Sequence, residues 1–286
     1  MSDLPAPETF LSGEPRALDG RRARARAWAG DRLLDARALI ARDARQLDAL
    51  AAAAPAREVL VLSIYRPPAR ALVAALPALA SGRHDVSHVF GSTGDVLPEL
   101  EHATSATGLA GGKFENLNHL LAGAGDRRPD WVLVVDDDVA LPPRFVDRLV
   151  GLCERFDLAL AQPAQTRLSH AAWSVVRRRP GVLLRETRFV EIGPVTMFRR
   201  DAAAELTPFP ALRYGWGLDA HWAAVAEERG WRVGIADSLP VRHEEGAVAA
   251  TYSGDEAVEE ARRFLAGRAY VPSARLQETL VVHRRA

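Results

Sequence analysis

The chain has 286 residues, of which 48% are apolar and 26% charged, and its 37 basic residues balance 37 acidic ones. This composition predicts a globular protein with enough chain for one large α/β domain or two small ones, and the zero net charge argues against a nucleic-acid partner. No apolar run approaches the roughly 20 residues of a transmembrane segment, the start has no signal-peptide pattern, and the single Cys153 excludes an internal disulfide, so we expect a cytoplasmic protein.

The first half of the chain predicts strands that alternate with helices. After a mostly helical stretch, each apolar run is followed by a helical pattern, and such alternation is typical of a mainly parallel sheet flanked by helices. Ligands of these sheets bind beyond the carboxyl ends of the strands. The predicted helices are 15–54, 68–80, 114–122 and 144–156, and the predicted strands are 58–64, 85–90, 131–135 and 158–162.

The second half is less regular. Residues 166–188 have no clear period and carry several arginines, which predicts a long loop, and the basic part 177–188 is a candidate lid over an anionic ligand. Further predicted elements are a strand over 190–197, a helix over 221–229 and a strand over 231–236.

The strongest chemical signal is a run of three aspartates directly after an apolar strand. Asp136, Asp137 and Asp138 follow Trp131–Val135, and the prolines at 142 and 143 come shortly after. Three adjacent carboxylates repel one another unless positive charge lies among them. A hard divalent cation held by oxygen ligands and shared with a diphosphate fits this place at a strand end.

Two glycine-containing segments are candidate ligand contacts. Gly111-Gly112-Lys113 opens the predicted helix that also carries Asn118, and a helix start with an added positive charge attracts anions. Gly215-Trp216-Gly217-Leu218-Asp219 opens another helix, where Trp216 offers a face for a sugar ring and Asp219 a base. Further along, His243 follows a predicted strand and is a candidate metal ligand.

In their order, these motifs resemble glycosyltransferases of the GT-A fold. The stretch from Gly112 through Asp138 to Pro143 is similar to the central block of glycosyltransferase family two, with its Asp-x-Asp (DXD) motif. Phe189–Val195 and Gly215–Asp219 resemble a plant and bacterial family of unknown function with a GT-A-like fold. The Gly-Trp-Gly segment is also similar to the acceptor loop of β-1,4-galactosyltransferases. The resemblance covers roughly residues 58–250 by motif order.

The resemblance implies three segments, and it implies a mechanism. It predicts a largely helical N-terminal extension over 1–55, a GT-A catalytic domain over 56–252, and a C-terminal helix and tail over 253–286. A sugar would pass from a UDP- or GDP-type donor to an acceptor hydroxyl with inversion, in a reaction that depends on Mn²⁺ or Mg²⁺.

The resemblance also assigns roles to individual residues. The implied metal ligands are Asp136, Asp138 and His243; the donor contacts are Tyr65, Arg66, Asp95, Lys113, Asn118, Asp136 and Asp137; the acceptor contacts are Trp216 and Gly217; the base is Asp219. The chain departs from the family pattern in lacking Asn beside Tyr65 and Arg66, and in having Leu218 where a second acidic residue is common.

Two alternatives stay open at this point. A haloacid-dehalogenase-type phosphatase also places aspartates after an apolar strand, although its motif lies near the start of its fold and has Thr or Val where this chain has Ala140. A non-catalytic protein that binds nucleotide sugars or carbohydrates would keep the same fold. The N-terminal helical region is a candidate contact for a homo-oligomer.

Overall fold

The computed structural model describes residues 4–12, 20–125, 127–244 and 253–285. These residues form one large sheet with helices on both faces. The strands are β1 (Glu58–Tyr65), β2 (Asp85–Ser92), β3 (Thr104–Ala106), β4 (Trp131–Val135), β5 (Val139–Ala140), β6 (Leu158–Gln165), β7 (Leu184–Thr187), β8 (Val195–Arg199), β9 (Arg232–His243) and β10 (Thr279–His283). The helices are α1 (Arg21–Ala41), α2 (Asp43–Ala53), α3 (Arg70–Leu79), α4 (Lys113–Gly123), α5 (Phe145–Phe156), α6 (Arg200–Leu206), α7 (Leu218–Arg229), α8 (Gly254–Leu265) and α9 (Ser273–Leu276).

The order of strands across the sheet is β10-β7-β9-β6-β8-β4-β1-β2-β3, and β5 pairs with β9. Parallel pairing joins β3, β2, β1 and β4 on one side and β6 with β9 on the other. Strand β8 lies antiparallel between β4 and β6. The predicted α/β fold with helix-flanked parallel strands is confirmed, and the carboxyl ends of β1, β4 and β6 meet at one edge.

Strand β1 explains why the sheet is covered on both faces. Successive side chains of a strand point to opposite sides. Val59 and Val61 enter the core beneath α2, α3 and α5, whereas Leu60 and Leu62 enter the core beneath α4, α6, α7 and α8. An uninterrupted apolar strand is therefore what a sheet between two helical layers requires.

The structure differs from the sequence prediction over 166–188. A loop or lid is wrong for Leu184–Thr187, which form β7 between β9 and β10. Arg185 is fully buried against Asp237, so its charge belongs to the core and does not face a ligand. The prediction failed because a charged residue in a strand interrupts the apolar pattern by which a buried strand is detected.

The terminal segments pack onto this frame. Helix α2 packs against α5, and the C-terminal residues 279–283 add the edge strand β10 to β7. The predicted segment boundaries stay predictions, and the boundary at residue 252 lies outside the described residues. Within the described ranges, no helix combines the length and the apolar character that crossing a bilayer requires.

Candidate metal and donor site

The first aspartate after β4 is held by a lysine from the start of α4. The Nζ atom of Lys113 lies 2.6 Å from Oδ1 of Asp136 and donates a second hydrogen bond to the carbonyl oxygen of Ile192 at 3.0 Å. Gly193 is close by, since a Cβ there would lie 2.9 Å from Oδ2 of Asp136 and 3.0 Å from Lys113 Nζ. Only glycine lets the 192–194 backbone approach this ion pair so closely.

The third aspartate meets His243 because two strands pair there. Val139 of β5 lies opposite His243 of β9, and the N–H of Glu244 donates to the carbonyl oxygen of Asp138 at 2.8 Å. This pairing sets His243 Nε2 3.0 Å from Oδ2 of Asp138. Burial disfavours the charged imidazole, but the hydrogen bond to Asp138 and the nearby carboxylates outweigh it and raise the pKa of His243 above its ordinary value.

One ligand atom from each of Asp136, Asp138 and His243 lies within 4.8 Å of the other two. Donor atoms this close together could bind a single cation. Two carboxylates and an imidazole would fit a divalent cation such as Mn²⁺. The three residues implied as metal ligands are thus brought together, and their donor set fits the implied ion.

The middle aspartate faces the end of β1. Its Oδ2 accepts the backbone N–H of Arg66 at 2.7 Å, and its carbonyl oxygen accepts the N–H of Leu72. Burial, together with the neighbouring Asp136 and Asp138, raises the pKa of Asp137 to about 6, against the Arg66 hydrogen bond. Asp137 therefore lies apart from the metal cluster, beside the strand end where nucleoside contacts are predicted.

The other predicted donor contacts lie in different settings. Tyr65 is buried, and its hydroxyl is 2.9 Å from Oγ1 of Thr104, whereas Arg66 and Asp95 are exposed at the ends of β1 and β2. The amide of Asn118 exchanges two 2.7 Å hydrogen bonds with the backbone of Phe209. This bond pair anchors the 207–210 segment to α4, and the donor-binding role of Asn118 stays a prediction.

The predicted acceptor segment is held from behind by α8. Glu260 accepts backbone N–H groups of Arg213, Tyr214 and Gly215 at 2.7, 2.9 and 3.1 Å. Gly217 directly precedes α7 and has φ +86, a conformation that disfavours any residue with a Cβ. Trp216, between these glycines, is partly buried against the α4–α7 core. Contact of Trp216 and Gly217 with an acceptor stays a prediction.

Asp219 is a buried carboxyl in the first turn of α7. Asp219 is 6% exposed, and its Oδ1 atom accepts a hydrogen bond from the N–H of Ala220 at 2.9 Å. Burial raises the pKa of Asp219 to about 7, against the hydrogen bonds from the helix backbone. A carboxyl whose pKa is near neutral is suited to accept a proton from a bound hydroxyl group at neutral pH.

A second buried carboxyl, Glu191, was missed by the sequence analysis as a site residue. Gln165 donates to Glu191 Oε2 at 2.6 Å, and the Ala172 N–H donates to Oε1 at 3.3 Å. Burial first, then the Asp219 carboxylate, raise the pKa of Glu191 to about 8, while His243 lowers it. Glu191 thus links Asp219 electrostatically with the metal cluster. The detectable signal was one acidic residue inside the apolar run 189–192.

Comparisons with known proteins agree with the fold. The chain matches no family model and no curated protein. Among solved structures it is similar to GalNAc-T7 with UDP, GalNAc and Mn²⁺, at TM-score 0.55 and 8% identity over 73% of this chain, and it spans about half, 48%, of that protein. It is also similar to the mannosyltransferase PcManGT from Pyrobaculum calidifontis in complex with GDP-Man and Mn²⁺, at TM-score 0.50 and 15% identity, covering 85% of this chain and 73% of that one. The chain has the GT-A fold.

Proposed function

We propose that this chain is a glycosyltransferase that uses Mn²⁺ or Mg²⁺ to move a sugar from a nucleotide-diphosphate donor to an acceptor hydroxyl, with inversion. The observation that carries the proposal is the cluster of Asp136, Asp138 and His243 at the carboxyl edge of a GT-A sheet. Both similar structures are described with a nucleotide or nucleotide sugar and Mn²⁺, which supports a donor of the UDP or GDP type for this chain.

Each residue has a part in the proposed reaction. Asp136, Asp138 and His243 would hold the metal, which when bound neutralises the charge that develops on the leaving diphosphate. Lys113, already beside Asp136, adds a positive charge at the same place. Asp219 takes the proton of the acceptor hydroxyl as the hydroxyl oxygen attacks the anomeric carbon and the diphosphate leaves. A single displacement of this kind inverts the anomeric centre.

Removing the metal is expected to weaken donor binding. Titrating UDP and GDP into the protein by calorimetry, with Mn²⁺ and then with excess chelator, should show affinity falling by roughly tenfold or more. Loss of a charge-assisted contact of about 1.5–3 kcal/mol corresponds to that factor. Equal affinities with and without metal would contradict the proposed metal bridge.

The metal experiment has a matched pair of variants. Asp138→Asn removes a proposed ligand after β4, and Asp130→Asn makes the same change before β4, where Asp130 pairs with Arg200. Only Asp138→Asn should reduce Mn²⁺-dependent nucleotide binding. If the protein hydrolyses small phosphate esters and Asp136→Asn abolishes this hydrolysis, the phosphatase alternative is supported instead.

Transfer is also expected to depend on pH through Asp219. Because the pKa of Asp219 is raised to about 7, the base is ionised only above that value. At saturating metal and donor, the rate should rise about tenfold per pH unit below the pKa and level off above it. The Asp219→Asn variant should lack this inflection, and a flat profile for the parent between mildly acidic and mildly basic pH would remove Asp219 from the role of base.

A further inference from the structure

Helix α1 is held to the protein by one narrow face. Ala27, Asp31 and Leu34 are 7%, 2% and 4% exposed, and they recur at the spacing of one helix face. The Asp31 carboxylate accepts the backbone N–H groups of Arg167 and Leu168 at 2.9 and 3.0 Å. The inner face of α1 therefore has its partners in the fold.

The outer face of the same helix carries four large apolar side chains. Trp28, Leu33, Leu39 and Ile40 are 57%, 54%, 81% and 82% exposed. At 100° per residue these side chains share the outward half of the helix with exposed alanines and with Arg21, Arg22, Arg26 and Arg32. Four large apolar side chains exposed on one side of a helix exceed the single, scattered hydrophobic residues of an ordinary surface and mark a candidate docking surface.

The charges of α1 indicate what that partner is. Six arginines, all exposed, stand against two aspartates, a net charge of +4 in a chain whose total is zero. Asp31 is buried and accepts hydrogen bonds from backbone N–H groups, and Asp35 pairs with Arg32 and Arg178. Apart from Arg32, the arginines of Arg21–Ala41 thus have no acidic partner within the helix.

From these exposed apolar side chains and the arginines interleaved with them, most of which lack an acidic partner, we infer that α1 docks the protein on an anionic lipid surface, lying in the plane of the interface. Exposed Trp, Leu and Ile side chains suit the boundary between headgroups and acyl chains, and arginines beside them meet lipid phosphates. A second copy of the chain fits less well, because a two-fold contact through α1 brings arginine-rich helices together without acidic partners.

The docking helix lies beside the candidate site. The turn that Asp31 holds follows the end of β6, and Oγ of Ser169 in this turn accepts the backbone N–H of His243 at 3.1 Å. Docking through α1 therefore keeps the metal cluster close to the lipid surface. This inference does not depend on the proposed transferase activity, because binding to lipid is measured without turnover.

The test is flotation of the full chain with vesicles of phosphatidylcholine alone and of phosphatidylcholine with roughly one third phosphatidylglycerol. The parent should bind the anionic vesicles, bind neutral ones much less, and lose binding as salt is raised. Arg22→Glu with Arg26→Glu should reduce partitioning by at least about fivefold per charge removed. Arg127→Glu with Arg128→Glu, exposed arginines elsewhere, should leave it unchanged.

The apolar contribution has its own pair of variants. Leu39→Ser with Ile40→Ser should reduce partitioning by about tenfold or more. Leu280→Ser with Val282→Ser removes exposed apolar side chains from β10 and should have no effect. Equal binding to neutral and anionic vesicles, or parent-like binding by both sets of α1 variants, overturns the inference. So does a parent that binds no vesicles and is a dimer by light scattering until Leu39 and Ile40 are replaced.

Discussion

Replacing Asp219 with asparagine is expected to lower the rate of sugar transfer by about 10²–10⁴-fold, the usual contribution of a positioned base. Asparagine keeps the size of the side chain and the hydrogen bond from the Ala220 N–H, but it cannot take the acceptor proton. Donor affinity should stay unchanged, because Asp219 is not among the proposed donor contacts. The measurement is a transfer assay at saturating donor beside calorimetry of nucleotide binding.

A matched control separates catalysis from helix capping. Asp255 occupies the second position of α8, as Asp219 does in α7, but it is exposed. Asp255→Asn makes the same chemical change at the same helix position and should leave transfer unaffected. If Asp219→Asn melts far below the parent while its folded fraction transfers sugar at the parent rate, Asp219 is a capping residue and the base lies elsewhere.

The raised pKa of Asp219 determines whether ionisation of this carboxyl stabilises or destabilises the folded protein. A carboxyl that binds its proton more tightly in the folded protein lowers the free energy of unfolding as pH rises from its unfolded value of about 4 towards 7. Above pH 7 this unfavourable contribution is fully present. Asp219→Asn should therefore be at least as stable as the parent at pH 8, and a capping role predicts the opposite.

Removing the carboxylate of Asp237 is expected to lower the free energy of unfolding by about 3–5 kcal/mol, because it leaves a buried guanidinium without its counter-ion. Arg185 and Asp237 both have fully buried side chains, and the Arg185 Nε atom lies 2.7 Å from Asp237 Oδ2. Arg185 also donates to the carbonyl oxygens of Val175 and Arg177 at 2.7 and 3.0 Å. The pair thus joins β7, β9 and the 175–177 segment.

Urea unfolding of Asp237→Ala measures this loss. The matched control is Glu205→Ala, which breaks a solvent-exposed contact with Arg229 and should change the free energy of unfolding far less. The double variant Arg185→Met with Asp237→Ala should recover part of the loss, since it removes both charges. A cost for Asp237→Ala no larger than that for Glu205→Ala would contradict a structural role for the pair.

The buried pair also bears on the site. Arg177 donates from Nη1 to the carbonyl oxygens of Thr166 and Ser169, both at 2.7 Å, and Ser169 accepts the backbone N–H of His243. Arg177 and Arg185, which belong to the segment predicted as a lid, therefore support the wall of the site from behind. This role depends on the burial of Arg185 against Asp237, which the composition and charge of the segment do not indicate.

The amino-acid sequence by itself determined the alternation of strands and helices and the place of the aspartates. Continuous apolar runs such as Trp131–Val135 specify buried strands, and the predicted bounds of β4 agree with the structure. The three aspartates at the end of that strand are a local signal, because their mutual repulsion needs no partner to be recognised. Asp219 was predicted as a base from a local signal too, the glycines and the helix start that precede it.

Only the tertiary structure decided which residues meet there. His243 reaches Asp138 because β5 pairs with β9, and Lys113 reaches Asp136 because α4 begins beside the 192–194 backbone. Residues separated by tens to more than a hundred positions come together through strand order and register, which no local pattern encodes. The burial of Glu191 and Arg185 has the same origin. A charged side chain is buried only when partners compensate its charge, and these partners come from distant parts of the sequence.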